Sequence, residues 1–123
     1  MTFRYARHTE NLSAIIQFYT EIIGLKVLGK FENHSDYNGV FPGFPDKDWH
    51  LEFTESKGGV EHKPDKDDLL VFYLQSADEW NDMREKIKKR GLQFEQSQNP
   101  YWQKNGLEIL DPDGFGVIRA IKN

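Results

Sequence analysis

A chain of 123 residues, of which 37% are hydrophobic, holds one ordinary domain and not two independent cores of normal size. With no cysteine there is no disulfide framework, thiolate nucleophile or Cys-type zinc site, so any metal needs His, Asp or Glu ligands. The formal charge of -4 argues against nucleic-acid binding, and the longest apolar run, Leu69 to Leu74, is far too short for a bilayer span, so a soluble, cytoplasmic protein is expected.

In chain order, Phe3 to His8 is β-prone. From Asn11 to Ile23, Leu12, Ile15, Ile16, Tyr19, Ile22 and Ile23 recur at helical spacing, with Asn11 as N-cap and Gly24 as the residue that ends the helix. Strand-like stretches follow at Gly24 to Leu28, Gly39 to Phe44 and Trp49 to Thr54, with Asn38-Gly39 read as a hairpin signal. Residues 56–68, rich in Gly, Lys, Asp and Glu, read as a linker. Leu69 to Leu74 predicts another strand. Ser76 and Glu79 form a capping-box pattern for a second helix that buries Trp80, Met83 and Ile87 and stops at Gly91. Its Lys86, Lys88, Lys89 and Arg90 complement the helix dipole. Strands are expected at Gly91 to Glu95, Gly106 to Leu110 and Gly116 to Ile121, the last two joined by a type I turn at Asp111-Pro112-Asp113-Gly114. The order is strand, helix, three strands, twice: modules of about 1–55 and 69–123.

This paired βαβββ plan, with Phe18-Tyr19, Gly24-Leu25, His50-Leu51-Glu52-Phe53-Thr54 and the Asp111-Pro112-Asp113-Gly114 turn, resembles the vicinal oxygen chelate superfamily, which includes glyoxalase I, bleomycin-resistance proteins and extradiol dioxygenases. The resemblance covers nearly the whole chain. It implies an α+β fold in which the two modules pair into an incomplete barrel around a central pocket, and a homodimer. Metal-dependent members carry ligands on four strands, typically His, Glu, His or Gln, and Glu. The corresponding positions here are Arg4, Glu52, Leu69 and Ile118, of which Glu52 alone is a ligand type.

Residues two apart on a strand share a face, so Arg4 and His8 stand with His50 and Glu52 on one side of the first sheet, and Tyr73 projects from the equivalent side of the second. An Arg4–Glu52 pair would join the two strands as a metal does elsewhere, and the Arg fork suits an anionic ligand. Tyr101 and Trp102, adjacent aromatics in what reads as a polar loop after Pro100, are candidates to cover a ligand or a partner subunit. Two functional readings follow. One is a metal-free protein that binds a small molecule through Arg4, His8, His50, Glu52, Tyr73, Tyr101 and Trp102. The other is a lyase or dioxygenase holding Zn, Ni, Fe or Mn on a displaced set, His8, His50 and Glu52, with Glu52 as general base.

Overall fold

The computed structural model describes residues 1–121, so the last two residues of the second expected module lie outside it. The chain divides into two compact units, residues 1–61 and residues 62 onward. No described helix is long and apolar enough to cross a membrane.

In the first unit, β1 (Phe3–His8), β2 (Lys26–His34), β3 (Tyr37–Gly43) and β4 (Trp49–Glu55) form a sheet of order β1-β4-β3-β2. The β1–β4 pair is parallel and the others antiparallel. Helix α1 (Leu12–Gln17) starts where expected: the Asn11 side chain accepts from the Ala14 N–H at 3.0 Å. It continues as a π-helical turn over Phe18–Ile22, ending at Gly24 with φ +93. Phe18, Tyr19, Ile22 and Ile23 are all buried on its inner side. They join Ile15, Val40, Leu51 and Phe53 in the core.

The β2–β3 hairpin turns at Ser35-Asp36 and not at Asn38-Gly39. Both turn residues have positive φ, the geometry of a two-residue type I′ turn, and His34 pairs with Tyr37 across it. Gly39 has another use. A Cβ there would collide with the Phe31 ring, so glycine lets that ring lie flat on the sheet.

The second unit has a three-stranded sheet of order β5-β7-β6, built from β5 (Leu69–Leu74), β6 (Gly106–Leu110) and β7 (Gly116–Ile121). The fourth strand expected at Gly91 to Glu95 is reduced to a single bridge between Glu95 and Glu108. Helix α2 (Ala77–Lys89) has the predicted cap, Glu79 N–H donating to Ser76 Oγ at 3.2 Å, while the Glu79 carboxylate accepts from the Gln75 N–H at 2.6 Å. Met83 and Ile87 are buried, whereas Trp80 is half-buried. Gly91, at φ +69, follows the helix end. The turn before β7 closes as predicted, with Gly114 N–H donating to Asp111 O at 2.9 Å.

Arg119 lies on the core side of β7, 7% exposed, its guanidinium 5.8 Å from the centroid of Phe72 on the neighbouring β5. Burial lowers its pKa to about 10, opposed by the charge of Glu79. The folded state therefore disfavours the cation, and this cost persists at every pH below about 10. Arg119→Met, which keeps the stem volume, should leave the urea midpoint unchanged or raise it. Arg119→Ala should lower the midpoint by leaving a cavity. A Met variant as unstable as the Ala variant would show that the charge itself holds the fold.

Candidate functional site

The open face of the first sheet carries the polar group expected there. Arg4 on β1 and His50 on β4 are register partners, and the Arg4 Nε–H donates to His50 Nε2 at 2.8 Å. Its Nη1 donates to Glu52 Oε1 at 3.3 Å. Because Nε2 accepts, the ring hydrogen of His50 sits on Nδ1 and the imidazole is neutral. The guanidinium lies 4.7 Å from the centroid of Phe41, which also meets the His50 ring edge-on at 6.0 Å. Phe31 extends this aromatic floor, 5.9 Å from Phe41.

The Arg4 side chain is 49% exposed and that of Glu52 17%, so the pair is open to solvent on the arginine side. A half-exposed pair of this kind contributes about 1 kcal/mol or less, far below a buried ion pair. Arg4 Nη2 has no partner among the described residues. The protein thus engages Nε–H and Nη1, and the Nη2 donors are the ones left unused.

Gly39→Ala tests the floor. The added methyl must displace the Phe31 ring, and an overpacked site of this kind costs about 1–3 kcal/mol. Thermal unfolding should show the loss, and Phe31→Leu in the same background should restore part of it. A Gly39→Ala protein as stable as the parent would mean the ring is not seated there.

His8 stands apart from this group. Its Nδ1 lies 2.7 Å from Thr54 Oγ1 and its Nε2 2.9 Å from Ser56 Oγ, with the ring against Tyr37 at 5.3 Å. The displaced set His8, His50 and Glu52 is therefore not brought together, and among the described residues no three His, Asp or Glu side chains converge on a metal position. The superfamily's own ligand positions fit an ion no better: Glu52 Oε1 is engaged by Arg4, and Leu69 and Ile118 are aliphatic.

In the second unit Tyr101 and Trp102 are helical rather than in a loop. Asn99 caps α3 (Pro100–Asn105), its side chain accepting from Tyr101 N–H at 2.9 Å, and Pro100 occupies the first turn. Tyr73 is 47% exposed, its ring centroid 6.5 Å from that of Trp102, and Tyr101 meets Trp102 edge-on at 4.8 Å. The three aromatics thus form one cluster. Glu108, which the sequence reading passes over, is buried on the same side of this sheet, where the alternation Gly106, Glu108, Leu110 places it.

The architecture is that of the vicinal oxygen chelate superfamily. Residues 3–54 match the YycE-like N-terminal domain and residues 67–120 the YycE-like C-terminal domain. Protein YycE of Bacillus subtilis is 45% identical over 116 residues, covering 94% of this chain and 84% of that protein. Its crystal structure, described as a glyoxalase/fosfomycin resistance candidate of unknown function, has a TM-score of 0.90 at 42% identity, covering 99% of this chain and 90% of that one. The chain belongs to the YycE-like family. The fold extends to the trypanothione-dependent glyoxalase I of Leishmania major, with TM-score 0.75, 22% identity and coverage of 98% and 86%. It also extends to the fosfomycin resistance protein FosX of Listeria monocytogenes, bound to Mn(II) and a dihydroxypropylphosphonic acid, with TM-score 0.74, 12% identity and coverage of 98% and 90%.

Proposed function

We propose that this protein binds a small anionic molecule on the open face of its first sheet, with Arg4 as the anchor in the place where metal-dependent relatives of the fold carry a ligand. The observation that carries this reading is the half-exposed Arg4 guanidinium, held by His50 Nε2 and Glu52 Oε1 over the Phe41 ring, with Nη2 unpartnered among the described residues. An orienting acceptor on each of two edges fixes the fork, so little side-chain entropy remains to be lost when an oxyanion docks. Phe31 and Phe41 supply an apolar bed for the body of the ligand. In this reading the protein needs no divalent ion; it is a homodimer, as the superfamily resemblance implies, and cytoplasmic, as its composition suggests. FosX is bound to a phosphonic acid, which supports a phosphonate or carboxylate as the ligand class.

Calorimetric titration with methylphosphonate and with acetate tests the reading. The wild-type protein should bind at least one of them saturably, and Arg4→Met should weaken that binding about tenfold or more. Metal analysis supplies the opposite outcome. Stoichiometric Zn, Ni, Fe or Mn in the purified protein, lost on Glu52→Gln, would overturn the proposal and place the chain among the metal-dependent lyases or dioxygenases.

A further inference from the structure

The open face of the first sheet carries a second polar group, at the far end of β1 from Arg4. His8 lies four residues on, about 13 Å at the rise of a strand, and pairs in register with Thr54 of β4. Ser56 is the first residue past β4 and two beyond Thr54, so both hydroxyls fall on the side that His8 occupies. The imidazole fits between them, with Nδ1 2.7 Å from Thr54 Oγ1 and Nε2 2.9 Å from Ser56 Oγ. All three side chains are half-buried, within reach of solvent.

In the tautomer with hydrogen on Nδ1, that N–H donates to Thr54 Oγ1 and Nε2 accepts the hydroxyl hydrogen of Ser56. A hydroxyl bonded to an imidazole whose far nitrogen is held by a third group is the constellation of an activated nucleophile. Thr54 is neutral, so it positions the ring without the charge that a carboxylate would add. Next along the chain come Lys57, Gly58 and Gly59, exposed residues whose backbone N–H groups have no hydrogen-bond partner among the described residues. Since β4 ends at Glu55, these donors are not spent on a ladder, and donors that follow a nucleophile suit a carbonyl oxygen as it gains charge. A Cβ at Gly58, where φ is +111, would meet nothing within 4 Å, so that part of the loop is open to approach. Tyr37 of β3, 45% exposed, sets its ring 5.3 Å from that of His8 and forms an apolar wall.

We propose that Ser56 and His8 are a nucleophile and base, with Thr54 as the positioning residue, that hydrolyse carboxylic esters whose apolar part lies against Tyr37. Ser56 Oγ adds to the ester carbonyl carbon as its proton passes to His8 Nε2; the C–O bond to the alcohol then breaks, and the alcohol leaves with that proton. Water completes the cycle. It gives a proton to Nε2 as its oxygen adds to the acyl carbon, and Ser56 Oγ leaves, taking the proton back and releasing the carboxylic acid. The pair shares no side chain with the anion site and stands or falls separately from it.

Turnover of para-nitrophenyl acetate by the whole protein tests the site. The protein should hydrolyse it catalytically, and Ser56→Ala and His8→Gln should each lower kcat/KM about hundredfold, the scale of a positioned general base. Thr54→Val should lower it about tenfold, and Thr54→Ser, which keeps the hydroxyl, should restore it. Ser13→Ala, which removes an exposed hydroxyl on α1, should leave the rate unchanged. Because the chain has no cysteine, Ser56→Cys installs a single thiol whose reactivity reports on His8 directly. Iodoacetamide should alkylate that thiol at least about tenfold faster than in the Ser56→Cys, His8→Gln double variant, a comparison that holds even if Ser56→Ala fails to fold. Hydrolysis no faster than in buffer, an undiminished Ser56→Ala or His8→Gln protein, or a thiol indifferent to His8 would each overturn the pair and leave His8 as a clasp between two strand ends.

Discussion

Replacing Phe53 with alanine should destabilise the protein by about 3–5 kcal/mol, the usual range for deleting a fully buried aromatic ring. Phe53 is 0% exposed, at the centre of the first unit, with its ring stacked on Tyr19 at 4.9 Å and 28° and the Arg7 guanidinium 5.1 Å from its centroid. The substitution removes apolar area, empties a space bounded by a helix and a sheet, and strips a buried cation of the ring that partly compensates it. Native stabilities run to about 5–15 kcal/mol, so the variant keeps a small margin or none. Urea unfolding followed by far-ultraviolet circular dichroism measures the difference, and Phe53→Leu, which keeps most of the volume, should cost much less. A loss below about 1.5 kcal/mol for Phe53→Ala would contradict the packing described.

Glu52→Gln should act in the opposite direction on ligand affinity. In the proposed site Glu52 holds Arg4 but also repels any anion that docks there, and two like charges about 5 Å apart near a protein surface oppose one another by about 1–3 kcal/mol. Glutamine still offers Oε1 to Arg4 and removes the repulsion. Methylphosphonate should therefore bind about tenfold more tightly to the variant, with the gain shrinking as salt is raised. A metal-binding Glu52 predicts the reverse, loss of ion and ligand together, so one titration separates the two chemistries.

Much of the fold was legible because its punctuation is local. Asn11 and Ser76 cap the helices through their own side chains, and Gly24 and Gly91 follow them at positive φ, so a few adjacent residues decide each boundary. The Arg4–His50–Glu52 group was legible from parity alone once β1 and β4 were placed side by side. What escaped depended on distant partners or on competing uses of one residue. Gly39 looked like a turn glycine, but it serves the Phe31 ring, while Ser35 and Asp36 take up positive φ. Leu92 and Phe94 gave the alternation of a strand, yet only Glu95 finds a ladder partner. Asn99-Pro100 carried a helix-start signal, but the six residues of Pro100–Asn105 are too few to show a periodic apolar face. Glu108 is the clearest case, since nothing in a strand's sequence reveals that a carboxylate on it will be covered.

The two units also differ at a rung where their physics is the same. In the first, a buried arginine on the leading strand, Arg7, faces the ring of Phe53 on its parallel neighbour; in the second, the ring is on the leading strand, Phe72, and the cation, Arg119, on the neighbour. Position by position this rung reads as a double mismatch between the halves, although the interaction repeats with its donors exchanged. The constraint acts on the pair and not on either strand, so the internal symmetry of the chain is deeper in its energetics than in its letters.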